Sequence, residues 1–163
     1  MIAETLMDTP RIKMHGPEHH FLVPAILLAA YYNTKGEPEV KREKIPQARQ
    51  RAAQVMGGFC GTHGNCGAAI GTGIFISLVT SATPLSREEW RLSNLVTAKS
   101  LETIALHGGP RCCKRNTFLA IVTAVDFCRE HLGTQIPVHG PVTCHYSASN
   151  RECLPKDCPF FLR

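Results

Sequence analysis

The alternation of hydrophobic and polar positions divides the chain into five predicted helices and a less regular C-terminal tail. The most apolar run, residues 21–32, has no polar face, which is typical of a helix buried on all sides. It follows Pro17, a residue suited to the first turn of a helix. After a polar connection over residues 33–43, a second helix is predicted from Ile45 to Met56.

Three further helices are predicted from apolar residues at helical spacing. The third covers residues 65–81, and the fourth follows a capping box of Ser86 and Glu89 and stops at Gly108. The fifth covers residues 111–132 and ends at Gly133. We therefore expect one all-α, bundle-like domain over residues 1–163, with a helical body (1–133) and an irregular, cysteine-rich tail (134–163).

Composition and charge narrow the class of protein. With 163 residues and 44% hydrophobic content, the chain fits one globular domain. Its longest apolar run has 12 residues, too few to span a bilayer, so we expect a cytoplasmic protein without a membrane partner. The net charge is +5, but the basic residues are scattered, and no nucleic-acid partner is expected.

Eight cysteines in a reducing compartment favour metal binding over disulfides. Cys60 and Cys66 lie in a glycine-rich segment directly before the third helix, and Cys112 and Cys113 lie at the start of the fifth. Helix N-termini favour thiolate over thiol. We therefore expect the two segments to meet and to hold a metal centre between them, the alternative being buried or reactive thiols.

Groups around these cysteines could support such a centre. Backbone N–H groups of Gly61, Gly64 and Gly67 could donate hydrogen bonds to cluster sulfurs, and Arg111 adds positive charge. His63 is the best candidate for a fourth ligand or a proton donor, and His19 for a substrate ligand. These two histidines are the predicted catalytic residues.

The tail adds Cys144, Cys153 and Cys158. Because the tail has no core of its own, we expect bound metal to hold it in place, with disulfides or free thiols as the alternative. Cys112 and Cys113 would point apart on a helix, so one is expected to face Cys60 and Cys66 and the other the tail. Cys128 lies far along the fifth helix and is expected to be a core thiol. The predicted metal ligands are Cys60, Cys66, Cys112, Cys113, Cys144, Cys153 and Cys158.

Three motifs carry a resemblance to known families: residues 15–20 (HGPEHH), the 58–69 segment with Cys60 and Cys66, and residues 111–115 (RCCKR). Together they resemble a cysteine-rich domain family of anaerobic prokaryotes whose members stand alone or accompany methyltransferase-like domains. A looser likeness is to a family of proposed redox-active proteins with a C…GCAxxG…C…C pattern. Here Cys66 is followed by Gly67 rather than alanine, and Gly71 falls one place late.

These observations favour an iron–sulfur protein, with one or two cysteine-ligated centres and [4Fe–4S] as the expected cluster. It would transfer electrons to a redox partner protein or use an open iron on a small-molecule substrate. With seven candidate cysteines, at least one four-ligand site needs a further ligand, and an open position suits catalysis. The alternatives are a zinc-stapled, non-catalytic module that partners an enzyme such as a methyltransferase, and a thiol–disulfide redox protein using Cys112 and Cys113.

Overall fold

The computed structural model describes residues 2–162, and in that range the protein is all-helical. Met1 and Arg163, the ends of the predicted domain, lie outside the described residues. The α-helices are α1 (Ile2–Met7), α2 (Glu18–Lys35), α3 (Pro38–Ala52), α4 (Phe59–Thr62), α5 (Gly67–Thr80), α6 (Glu88–Leu106) and α7 (Cys113–Leu132). A 3₁₀ turn (Ser147–Ser149) is the one helical element described in the tail.

Helix α5 is the centre of the helical body and packs against α2, α3, α6 and α7. Its glycines allow this close approach. A Cβ at Gly71 would stand 2.9 Å from Cδ of Pro24 and 3.0 Å from Cβ of Val23 on α2, and one at Gly73 would collide with the Thr97 hydroxyl on α6. Gly71 and Gly73, within the third predicted helix, therefore serve packing.

The apolar run on α2 is buried, as its pattern predicts. Val23, Leu27 and Leu28 join Phe75 of α5 and Phe127 of α7 in the main core. Cys128 is fully buried in the same core, which confirms that it is a core thiol. No helix among the described residues is long and apolar enough to cross a membrane.

Two predicted boundaries in the helical body are wrong. The supposed polar connection over residues 33–43 is the end of α2 and the start of α3, which begins at Pro38 rather than Ile45 and ends at Ala52. Gly36, at φ +71°, makes the tight turn between the helices. The first turns of α3 are polar but contain good helix formers, and Arg42 pairs with Glu39 there at 2.8 Å.

The capping box is also wrong. Helix α6 begins at Glu88 with no side-chain cap, and the Ser86 hydroxyl accepts a hydrogen bond from the backbone N–H of Thr83 at 2.9 Å. Ser86 therefore stabilises the turn before the helix rather than the helix itself.

The tail lies against the first helix and the start of α7. Ala3 and Met7 of α1 form a second small core with Phe118, and Val142, Tyr146 and Phe160 of the tail pack on it. The Phe160 and Phe118 rings meet edge to face at 5.5 Å between centroids. The two ends of the described chain therefore share one packing unit.

Candidate metal centres

The start of α7 collects the tail cysteines around Cys112. Cys112, Cys144, Cys153 and Cys158 line one nearly closed pocket, with Asn150 and Arg115 beside them. We call these four cysteines the tail thiol group. Cys112 itself is the N-cap of α7, and its sulfur accepts a hydrogen bond from the backbone N–H of Arg115 at 3.4 Å.

Asn150 holds this arrangement together. Its Nδ2 donates to Sγ of Cys112 at 3.4 Å, while its Oδ1 lies 3.2 Å from Nε2 of His15 and accepts from the backbone N–H of Glu152 at 3.1 Å. Nothing in the sequence singles out Asn150, because its role depends on a contact across 38 positions. As expected, the tail folds back over the start of the fifth predicted helix.

The remaining predicted ligands lie on the other side of Cys112. Cys60 and Cys66 line an open cleft of about 680 Å³ with Gly61, Gly64 and Arg111. Cys113 lies near Cys66, whose charge contributes to raising the pKa of the Cys113 thiol after the larger effect of burial. We call Cys60, Cys66 and Cys113 the body thiol group.

Asn116 is the body group's counterpart of Asn150. It is buried one turn into α7, lines the same open cleft, and donates through Nδ2 to Sγ of Cys66 at 3.6 Å. Each thiol group thus has one asparagine donating to one of its sulfurs. Neither asparagine was predicted as a site residue.

The three predicted glycines differ in position, and His63 lies at the surface. Gly61 and Gly64 line the open cleft, but Gly67 is buried where a Cβ would collide with the His20 ring. His63 is exposed, stacked on Phe59, and bonded to the Thr62 hydroxyl at 2.7 Å.

His19 is buried, with its ring against Thr117 of α7. Its ring nitrogens contact the Thr117 hydroxyl at 2.9 Å and the Lys13 carbonyl at 3.1 Å, so both are satisfied. Neither His63 nor His19 lines the pockets of the thiol groups. Their catalytic roles stay predictions.

Two cations are buried among the thiols. The ammonium of Lys114 donates to the Met7 carbonyl at 2.8 Å and lies 4.4 Å from the centroid of the Tyr146 ring. The guanidinium of Arg115 donates to the carbonyls of His107 and Gly108 at 3.3 and 2.6 Å. Both lie in the first turn of α7, where positive charge opposes the helix dipole. This region is therefore electrostatically suited to anionic ligands.

Cys144 and Cys153 nevertheless favour the protonated thiol when no metal is bound. Burial raises the pKa of Cys144 and of Cys153, and the neighbouring thiols Cys158 and Cys112 raise both further. All eight cysteines are free. Metal binding to these groups must release protons, so metal affinity should rise with pH.

A single-ion site does not fit the positions of the side chains. Across residues 2–162, no group of three or more His, Cys, Asp or Glu residues could hold one metal ion. Tetrahedral zinc needs its sulfurs within about 4 Å of one another, since Zn–S bonds are about 2.3 Å. In a cubane-type cluster each thiolate binds a different iron, so the sulfurs stand further apart.

The chain belongs to DUF5714, a family of unknown function, whose model matches residues 1–161. That range includes all eight cysteines and therefore both thiol groups. No curated protein and no solved structure matches the chain. The likeness to a redox-active cysteine family stays a prediction.

Proposed function

We propose that this DUF5714 protein binds two iron–sulfur clusters, one at each thiol group, with [4Fe–4S] as the expected form. The observation that carries the proposal is that Cys112, Cys144, Cys153 and Cys158 line one pocket at the start of α7, while Cys60 and Cys66 line the neighbouring cleft and Cys113 follows Cys112 in the chain. Four thiolates complete the ligand set of a cubane. Three thiolates bind three of the four irons, which leaves the fourth iron for another ligand.

Charge supports the same proposal. A [4Fe–4S]²⁺ core with four thiolates carries a net charge of about −2. Arg115, which is buried and lines the tail pocket, would balance part of such a charge, whereas Lys114 already lies near the carboxylate of Asp8. Desolvating a cation at a helix N-terminus is costly, and a nearby anion offsets that cost.

The two centres would have different roles. The tail pocket is nearly closed, so its centre suits electron transfer and stapling of the tail. The cleft beside Cys60 and Cys66 is open and lined by Arg111 and Glu102, so its centre suits a small substrate on the open iron. A ligand for that iron from solvent or substrate is favoured, because no histidine lines the cleft.

The test is metal and sulfide analysis of anaerobically purified protein, together with visible absorbance and electron paramagnetic resonance. Cys112→Ser should remove iron from the tail centre alone, and Cys60→Ser or Cys66→Ser from the body centre alone. Cys128→Ala is the matched control, because Cys128 is buried in the main core away from both pockets, and it should leave the iron content unchanged. Near-wild-type iron in all three site variants would contradict the proposal.

Zinc is the competing outcome. Zinc without iron or sulfide in the anaerobic sample would favour a zinc-stapled interaction module. Loss of zinc in Cys112→Ser but not in Cys60→Ser would then show that the zinc site lies in the tail thiol group.

A further inference from the structure

We propose that a cavity on the helical body binds a medium-chain fatty acid, with the alkyl chain between α2 and α7 and the carboxylate at Asn33. We call this cavity the apolar groove. Its volume is about 480 Å³, within the range of roughly 300–1,000 Å³ typical of small-molecule sites. No cysteine of the described chain lines it, so the inference does not depend on the proposed clusters.

Hydrocarbon side chains from three parts of the chain form the walls of the apolar groove. Ile26 and Ala30 belong to α2, Phe118 and Val125 belong to α7, and the third wall is the tail segment 136–138. Apolar surface gains free energy when it leaves water. These walls therefore favour an alkyl chain as the part of the ligand that they contact.

Part of this apolar lining remains exposed to water. Ile2, Val122 and Val138 are exposed by 37–49%, whereas Ile26 and Phe118 are almost fully buried. Large apolar side chains that stay exposed around a cavity mark an interaction site, in contrast to single apolar residues scattered on a surface. The apolar groove therefore has a buried floor and an exposed apolar rim, which suits a ligand that covers the rim.

The polar groups of the apolar groove select the head group of the ligand. Asn33 accepts a hydrogen bond from the ammonium of Lys41 through Oδ1 at 2.6 Å, which leaves the N–H groups of its Nδ2 as donors. The Thr34 hydroxyl already donates to the Ala30 carbonyl at 3.0 Å. Within residues 2–162, His139 is the one further polar side chain in the lining, and no Asp or Glu lines the groove.

The charges near Asn33 favour an anionic head group over a cationic one. Lys41 bonds to Asn33, and Lys35 lies in the same last turn of α2. These two cations offset the negative end of the helix dipole. Hydrogen bonds to an ionised acceptor are stronger than those between neutral groups. A carboxylate at Asn33 Nδ2 is therefore the head group that this end of the groove fits.

The length of the apolar groove limits the length of the chain. Ile26 and Asn33 are seven residues apart on α2, and Phe118 and Val125 are seven apart on α7. Each pair spans about 10 Å along its helix. With C–C bonds of about 1.5 Å in a zigzag, an alkyl chain of about eight to ten carbons covers this distance. Phe118 packs against Phe160 of the tail, so the second small core limits the groove at that end.

The first test is isothermal titration calorimetry of the anaerobically purified full-length protein with fatty acids below their critical micelle concentrations. From hexanoate to decanoate, the affinity should rise about fourfold for each added CH₂ group, and it should stop rising before tetradecanoate because the chain then outgrows the groove. Decylammonium has the same chain with a cationic head and should bind about tenfold more weakly than decanoate, or weaker still. No binding of decanoate, a rise that continues through tetradecanoate, or equal binding of decylammonium would overturn the proposal.

The second test fills the apolar groove. Ala30→Phe should weaken decanoate binding by about tenfold or more, the equivalent of losing two buried CH₂ groups. Ala105→Phe is the matched control, because Ala105 is exposed beside the open cleft, and it should leave the affinity unchanged. Val122→Phe fills the groove from its exposed rim and decides the matter if Ala30→Phe does not fold. Unchanged affinity in the filling variants would place the ligand elsewhere and overturn the proposal.

The third test concerns the head group. Asn33→Leu keeps the size of the side chain but removes its donors, so it should reduce the preference for decanoate over decylammonium while the dependence on chain length stays. An unchanged preference would overturn the role of Asn33.

A second copy of the chain is the competing occupant of the apolar groove. Analytical ultracentrifugation with and without decanoate separates the two cases. A species of the same mass in both samples, with decanoate bound, supports the fatty-acid site. A dimer that does not bind decanoate and that dissociates in Val122→Phe would show that the groove is an interface between copies, and would overturn the proposal.

Discussion

The helical body and the tail are stabilised in different ways. In the body, Val23, Phe75 and Phe127 are buried in a core shared by five helices. In the tail, which begins at residue 134, Ile136 is the only large apolar side chain that is fully buried within the described residues; the others, such as Phe160, are partly exposed. This difference leads us to expect that the helical body stays folded when the tail is released, and that the tail needs cross-links in addition to apolar burial.

Metal removal should separate the two regions most strongly. Apparent binding free energies of structural zinc sites reach about 10–16 kcal/mol, several times the roughly 1.5–3 kcal/mol gained by burying one large apolar side chain. Chelation under reducing conditions should release the tail to protease while the helical body stays intact. Limited proteolysis followed by mass spectrometry checks this. Equal protection of the tail before and after metal removal would show that packing alone holds it.

Truncating one aromatic side chain in each region compares how much packing contributes to the free energy of unfolding in the two. Phe75→Ala in the main core should lower the free energy of unfolding by about 3–5 kcal/mol. Phe160→Ala in the tail should cost about 1–2 kcal/mol, because its ring is only partly buried against Phe118. Denaturant titration of both variants gives the two values. A loss for Phe160→Ala as large as that for Phe75→Ala would contradict the division between the regions.

Below neutral pH, the stability of the metal-free protein should change through the helical body, because tail thiols with a raised pKa, such as Cys144 and Cys153, stay protonated there. Burial lowers the pKa of His19 from 6.5 to about 4, so between these values the unfolded state binds more protons than the folded state. Stability from this group is therefore complete above about pH 6.5 and is lost as the pH falls toward 4, by up to about 3 kcal/mol. Denaturation of metal-free protein at several pH values measures the loss. It should be absent in His19→Gln.

The glycine variants compare two positions within the helical body. Gly71→Ala should cost about 1–3 kcal/mol, because the new methyl group meets Pro24 and Val23 of α2. Gly61→Ala is the control, since nothing lies within 4 Å of a Cβ there, and its effect should stay within about 0.5 kcal/mol. Thermal melts of the two variants decide the matter. Equal melting temperatures would show that α2 and α5 can move apart at no cost.

The sequence predicts the helical body well because burial imposes a period on its helices. The apolar run on α2 and the extents of α5 and α7 agree closely with their patterns. The start of α3 was missed because its first turns are held by local charge pairs and a proline rather than by a buried face. The Ser86 capping box failed because a serine hydroxyl can serve a turn as readily as a helix.

The candidate site was predictable in residue type but not in pairing. Cysteines and glycines indicated where metal chemistry would lie, and one vicinal cysteine was expected to face each group. That Cys112 rather than Cys113 faces the tail depends on the extended backbone at Cys112, which no periodicity encodes. Asn116 and Asn150 were missed for a similar reason, since buried polar partners are identified by their contacts and not by their spacing.

The tail closes a loop between Cys144 and Phe161, and the entropy of loop closure shows how freely the length of that loop can vary. The backbone N–H of Cys144 donates to the Phe160 carbonyl at 2.6 Å, and Cys144 also bridges Phe161, so the segment between them is a closed loop that contains Cys153 and Cys158. The entropy of closing a loop grows only with the logarithm of its length, and a doubling costs about 0.6 kcal/mol. Such a loop can gain or lose residues between its cysteines at little cost. The entropy of loop closure therefore constrains the number of residues between the tail cysteines only weakly.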